Sequence, residues 1–196
     1  IYHERFGNAR GWSFVVVGSF ELEAMKKLVT TYLGSLPSQP GPTPAFKDLG
    51  IRPVKGVVKK KVRKGQEQQS LIAISFTGET PFVAEEPLKL QALLDLLDIK
   101  LTETLREQLS GAYTSQIGGS LNKFPYSNFT INLYIPCGPE NVDKLIAAAL
   151  DEIQKVKEHG PTSEDLAKVK EAFSKKYQEN QKDNSYWLSA LQRGIE

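Results

Sequence analysis

Cysteine is almost absent from this chain: Cys137 is the single one in 196 residues, which excludes an internal disulfide and any multi-cysteine metal site and leaves packing as its expected role. Histidine is nearly as scarce. His3 and His159 stand at opposite ends of the sequence, and neither has the partner four residues away that sets two ligands on one helical face, so no intrinsic zinc site is expected. No apolar run approaches the roughly 18 residues that cross a bilayer, and the N-terminus lacks a basic-then-apolar export pattern. The chain opens at Ile1 rather than at Met, so it is expected to be part of a longer polypeptide whose compartment cannot be judged from its own first residues. An excess of one charge is missing too: 25 basic against 23 acidic residues give a formal charge of +2, which selects neither nucleic acid nor a membrane surface as partner.

What is present is an ordinary globular composition, with 40% hydrophobic and 24% charged residues, far from the signature of disorder. Trp12 to Val17 is short, apolar and rich in β-branched residues, and predicts a strand buried on both faces. Leu22, Met25, Leu28, Val29, Tyr32 and Leu33 then recur at helical spacing, with Gly34 as the positive-φ stop. Ser38 to Pro44 packs three prolines and a glycine into seven residues, which predicts a linker over 38–55.

Beyond the linker, residues 56–64 and 70–76 read as two strands joined by a turn at Lys64-Gly65-Gln66, the first of them basic and suited to a sheet edge. Pro87 suits the first turn of a long helix whose Leu90, Leu93, Leu94, Leu97, Leu101, Leu105 and Leu109 form one stripe ending near Gly111. Strands are expected at 112–119 and 128–135, the second alternating Phe129, Ile131, Leu133 and Ile135 on its core face. A helix opening at Pro139 ends at Gly160-Pro161. Thr162 with Asp165 then makes an approximate capping box for the next one, and Asn184 or Ser185 could cap a last. The order β-β-α-β-β-α-α is that of an α+β sandwich, an antiparallel sheet covered on one face by helices.

Chemistry is thinly marked. Arg106, near the end of the long helix, offers a planar fork of donors for a carbonyl or carboxylate, and the Tyr113 phenol could donate to an oxygen gaining charge during acyl transfer. The same residues fit a surface ion pair and a half-buried strand position, and spacing does not decide between them. Glu103 and Glu107 share a helix face but are of a kind that exposed helices carry routinely. Lys59, Lys60, Lys61, Arg63 and Lys64 form a basic run without the interleaved aromatics of a nucleic-acid platform. No phosphate-loop or serine-hydrolase motif occurs.

Several segments in order resemble the pitrilysin/insulinase family of inverted zinc metallopeptidases, in particular its long four-domain bacterial members. They are Arg5-Phe6-Gly7-Asn8-Ala9, Phe14 to Phe20, Tyr32-Leu33-Gly34-Ser35-Leu36-Pro37, Leu105-Arg106-Glu107-Gln108-Leu109 through Tyr113, Tyr134 to Glu140, Gly160-Pro161-Thr162 and Asn184-Ser185-Tyr186-Trp187-Leu188. The resemblance implies a metallopeptidase-like sandwich of the LuxS/mitochondrial-processing-peptidase-like type. Residues 1–37 would be the tail of a third domain, 38–55 a linker, and 56–196 a fourth domain lacking its last helices. It further implies a parent that cleaves peptides or unfolded polypeptides in a closing chamber, with zinc held by an N-terminal half absent here. Arg106 and Tyr113 match the family's substrate-positioning arginine and oxyanion-stabilising tyrosine. The fragment alone would be inert. Alternatives are an inactive relative that serves as a structural or peptide-holding subunit and, more remotely, a nucleic-acid binder using the lysine strand. Relatives of this kind are often periplasmic, and that compartment is the expectation for the parent.

Overall fold

The computed structural model describes residues 1–41, 47–83, 85–109 and 115–195, apart from the side chains of residues 4, 5 and 107–109. The chain divides into two compact units, Ile1–Phe46 with Ala172–Glu196, and Lys47–Glu171.

The second unit is built on a three-stranded antiparallel sheet. Strands β1 (Ser70–Glu79), β2 (Gln116–Asn122) and β3 (Asn128–Cys137) stand in the order β1-β3-β2. β3 pairs Ile135 with Ile72 and Leu133 with Ile74 on one side, and Leu133 with Ile117 on the other. Because side chains alternate across a strand, this register puts Ile72, Leu133, Ile135 and Cys137 on one face. Helices α3 (Glu86–Leu109) and α4 (Val142–His159, after a 3-10 turn Pro139–Asn141) cover that face, α3 against β2 and α4, α4 against β1. Leu97, Leu101, Leu105, Leu145 and Ala149 complete a core in which Leu101, Leu105, Leu133, Ile135 and Leu145 are fully enclosed. Each such side chain contributes about 1.5–3 kcal/mol by leaving water. The opposite face carries Ser75, Thr77, Thr130 and Asn132, and the Ser75 hydroxyl donates to Asn132 Oδ1 at 2.6 Å. The α+β class, an antiparallel sheet with helices on one face, therefore stands.

Individual expectations fare differently. α3 forms over the stretch that its leucine period predicts, but Leu93 is exposed while Leu96 is buried, since the stripe drifts around a helix 24 residues long. On α4, Leu150 is likewise exposed, although Leu145 and Ala149 are buried. The strand expected at 112–119 is found at Gln116–Asn122, and residues 110–114, including the expected helix end near Gly111, lie outside the described residues. The strand expected at 56–64 has no ladder partner among the described residues: these residues run without regular structure, so the sheet begins at β1 and the post-linker order is β-α-β-β-α-α-α.

α5 (Ser163–Asn180) starts with the expected capping box in a shortened form, aspartate replacing the usual glutamate. The Asp165 N–H donates to Thr162 Oγ1 at 3.1 Å, and the Thr162 N–H donates to Asp165 Oδ2 at 3.1 Å. Ahead of it, Gly160 closes α4 at φ +69°, where a side chain would be strained, while its N–H returns to the Val156 carbonyl at 2.9 Å.

In the first unit, α1 (Tyr2–Phe6), α2 (Leu22–Tyr32) and α6 (Asn184–Ile195) are the helices formed within it. α2 does not use Gly34 as a left-handed stop: Leu33 ends it in the right-handed region, and the Gly34 N–H reaches the Val29 carbonyl at 2.8 Å. Asp183, rather than Asn184 or Ser185, caps α6, its Oδ1 accepting from the Ser185 N–H at 3.0 Å. That bond, followed by the Ser185 hydroxyl, lowers the Asp183 carboxyl below its ordinary value. The run Trp12 to Val17 is not a strand. It has no ladder partner among the described residues, so Trp12, Phe14 and Val16 stand exposed instead of buried on both faces.

Candidate functional site

The residues expected to carry chemistry sit at the C-terminal end of α3 and just beyond it. Leu101 and Leu105 are sealed in the core and fix the rotation of the helix about its axis. Arg106 follows in the last turn with its side chain exposed. An exposed cation there is favoured by the helix dipole, and no ion pair ties it to a described carboxylate. Tyr113 lies outside the described residues, so the separation of guanidinium and phenol is not defined. Ser115, the first described residue after that stretch, is buried directly before β2, and its hydroxyl has no hydrogen-bond partner among the described residues.

Glu103 is exposed and the Glu107 side chain lies outside the described residues. The basic run at 59–64 is exposed throughout. His159 lies 4.0 Å from Glu158 at the end of α4, where an ion pair exists only when the imidazole is protonated. Cys137 is buried as expected, and burial, followed by the charge of Glu140, pushes its thiol above its ordinary value. Among the described residues no three His, Cys, Asp or Glu side chains converge. Zinc thus does not fit the described residues: the one thiol is buried, and the two histidines stand far apart in the chain.

Two charged clusters were not foreseen. Lys100 Nζ on α3 meets Asp165 Oδ2 at 2.9 Å, and the Thr162 hydroxyl donates to the same oxygen at 2.7 Å. Asp165 is only 3% exposed, and the Lys100 and Thr162 bonds hold its carboxyl down to about 2. The capping half of this arrangement was visible in the sequence. The lysine was not, because it comes from a distant helix. In the second cluster the Arg52 guanidinium grips Asp48 in bidentate fashion at 3.0 and 2.6 Å and stacks 3.5 Å from the centre of the Tyr126 ring. Arg52 Nε lies 3.5 Å from Glu79 Oε1. Asp48 also accepts from the Gly50 N–H at 2.8 Å, and Arg52 and that bond together lower its carboxyl to about 2. An open cleft of about 340 Å³ lies beside this cluster, lined by Glu79, Thr80, Pro81, Tyr126 and Ser127. The cluster ties residues 48–52 to the end of β1 and to the loop between β2 and β3.

Both the sequence and the fold of this chain resemble known proteins. The "Zinc protease PQQL-like" protein of Arabidopsis thaliana is 22% identical over 208 residues, covering all of this chain and 22% of the plant protein. The crystal structure of the periplasmic protease PqqL from Escherichia coli superposes with a TM-score of 0.68 at 20% identity, over 91% of this chain and 20% of that one. The chain thus spans about a fifth of the length of these relatives, and no helix among the described residues is long and apolar enough to cross a membrane. Residues 2–173 match the family described as the peptidase M16 inactive domain, and the chain belongs to that family.

Proposed function

We propose that this chain is the non-zinc-binding, C-terminal portion of a zinc metalloendopeptidase that hydrolyses peptides or unfolded polypeptides in a closed chamber. Residues 1–37 are the tail of a third peptidase-like domain, 38–55 the linker, and 56–196 the fourth domain. The partner of this portion is the N-terminal half of the same polypeptide, which supplies the zinc. The observation that carries the reading is the family match over residues 2–173, joined to an α3 whose buried leucines present Arg106 to solvent.

In this reading Arg106 holds a substrate carbonyl or carboxylate with its planar fork, and the Tyr113 hydroxyl donates to the oxygen that gains charge in the tetrahedral intermediate. By the same likeness the parent resides in the periplasm or cell envelope, which fractionation of the producing cells tests. Arg106→Ala and Tyr113→Phe, made in the full-length parent, are expected to leave zinc content and circular dichroism intact while lowering kcat by about 10²–10³, the effect of removing one oxyanion donor. Unchanged peptide cleavage in both variants overturns the assignments. A wild-type parent that binds peptides without cleaving them identifies instead a structural or peptide-holding subunit.

A further inference from the structure

We infer that the face of the sheet turned away from α3 and α4 is a rail for the backbone of an extended polypeptide, held by uncharged hydroxyl and amide groups centred on Asn132. The inference rests on the peptidase reading above for calling that polypeptide substrate. The form of the occupant comes from the face itself.

Charged residues make up 24% of the chain, yet none lies in Ala73–Thr77, Gln116–Ser120 or Thr130–Tyr134, the stretches that pair across the three strands. On the face away from the core, Ser75, Thr77, Gln116, Gly118 and Tyr134 are exposed. A surface without charge does not sort ligands by the sign of their side chains. What it can hold is what all polypeptides share, the backbone N–H and C=O.

The register sets Ser75, Asn132 and Gly118 in one row across the sheet. The Ser75 hydroxyl donates to Asn132 Oδ1 at 2.6 Å, so the amide nitrogen, at the other corner of the group, turns away from Ser75. It has no hydrogen-bond partner among the described residues, nor do the hydroxyls of Thr130 and Tyr134 to either side of it on β3. Gly118 ends the row in an open notch, where an added side chain would meet nothing within 4 Å.

The spacing of these groups fits one occupant. Residues on one face of a strand repeat at about 6.8 Å. One edge of an extended peptide presents the N–H and C=O of every second residue, at the same interval. Thr130, Asn132 and Tyr134 therefore meet successive peptide units without selecting a sequence. The Tyr134 end of the rail pairs with Gln116, three residues along the chain from Tyr113, and so adjoins the residues assigned chemistry above.

An NMR titration of the whole chain with a long peptide of serine, glutamine and valine, lacking charged side chains, tests this. The Asn132 side-chain amide and the backbone amides of 73–77, 116–120 and 130–134 should shift, while those of α4 stay in place. Asn132→Ala should weaken binding about 3- to 10-fold, the loss of one or two hydrogen bonds. Gly118→Trp fills the notch without meeting a neighbour and should abolish the shifts. In the full-length parent the same variant should raise KM for this peptide about tenfold and leave kcat unchanged, as loss of uniform binding does. Absence of shifts, shifts that persist in Gly118→Trp, the same shifts on adding dextran, or shifts that follow chain concentration without peptide each overturn the rail. The titration needs neither zinc nor Arg106, so peptide binding here by a parent that does not cleave supports the rail and overturns the peptidase reading alone.

Discussion

Asp165 offers a measurement in which geometry, magnitude and pH dependence must agree. One buried oxygen, Oδ2, receives the Lys100 ammonium at 2.9 Å, the Thr162 hydroxyl at 2.7 Å and the Thr162 N–H at 3.1 Å. All three contacts favour the charged carboxylate, whose value falls from 3.8 to about 2. At about 1.4 kcal/mol per unit, folding gains about 2 kcal/mol from this carboxylate. The Lys100 side chain keeps 24% of its exposure, so solvent screening trims that figure toward about 1–2 kcal/mol. Because the folded value lies below the unfolded one, the gain is complete above pH 4 and is lost as pH falls from about 4 through about 2.

Asp165→Asn keeps the size and removes the charge. It should lower the unfolding free energy by about 1–2 kcal/mol at pH 7, and the gap to wild type should close as pH approaches 2. Denaturant unfolding should be followed by far-ultraviolet circular dichroism, since Trp12 and Trp187 both belong to the other unit. A Lys100→Met, Asp165→Asn double-mutant cycle should recover most of the effect as coupling. A gap that stays constant from pH 7 to pH 2.5, or a coupling near zero, would refute the assignment of this carboxylate as the charged link between α3 and α5.

Further outcomes follow from the core and the turns. Leu133→Ala and Leu101→Ala, both at fully enclosed positions, should each cost about 2–5 kcal/mol in the same unfolding assay. Gly160→Ala, which places a side chain at φ +69°, should cost about 1 kcal/mol, measurable as a lowered Tm. Cys137 should react with a thiol reagent at neutral pH far more slowly in the native chain than in denaturant, because burial keeps the thiol protonated and out of reach. Equal rates in the two conditions would show the site to be open.

What could be read from the residues was whatever a periodic pattern or a local rule determines. The leucine period set α3, the alternation of Leu133 and Ile135 set the core face of β3, and Thr162 with Asp165 set the start of α5. Where pairing decides, the sequence was silent. Trp12 to Val17 and residues 56–64 both have strand composition, yet a strand needs a neighbour to bond, and neither finds one among the described residues. Lys100 with Asp165 and Arg52 with Glu79 and Tyr126 join residues far apart in the chain, which no local spacing could announce. For the candidate site, Arg106 could be placed at a helix end from its position after Leu105 alone. Its relation to Tyr113 depends on a stretch beyond the described residues.

The central position of β3 makes it the spine of the sheet. Every ladder bond of β1 and of β2 runs through it, so the strand third in chain order must be in place before the other two can be joined. A proline at Leu133 would unfasten both flanks at once, whereas the same insult in β2 would detach a single rib. The fold therefore concentrates its vulnerability in ten consecutive residues, and engineering that lengthens or cuts the chain should leave Asn128–Cys137 whole.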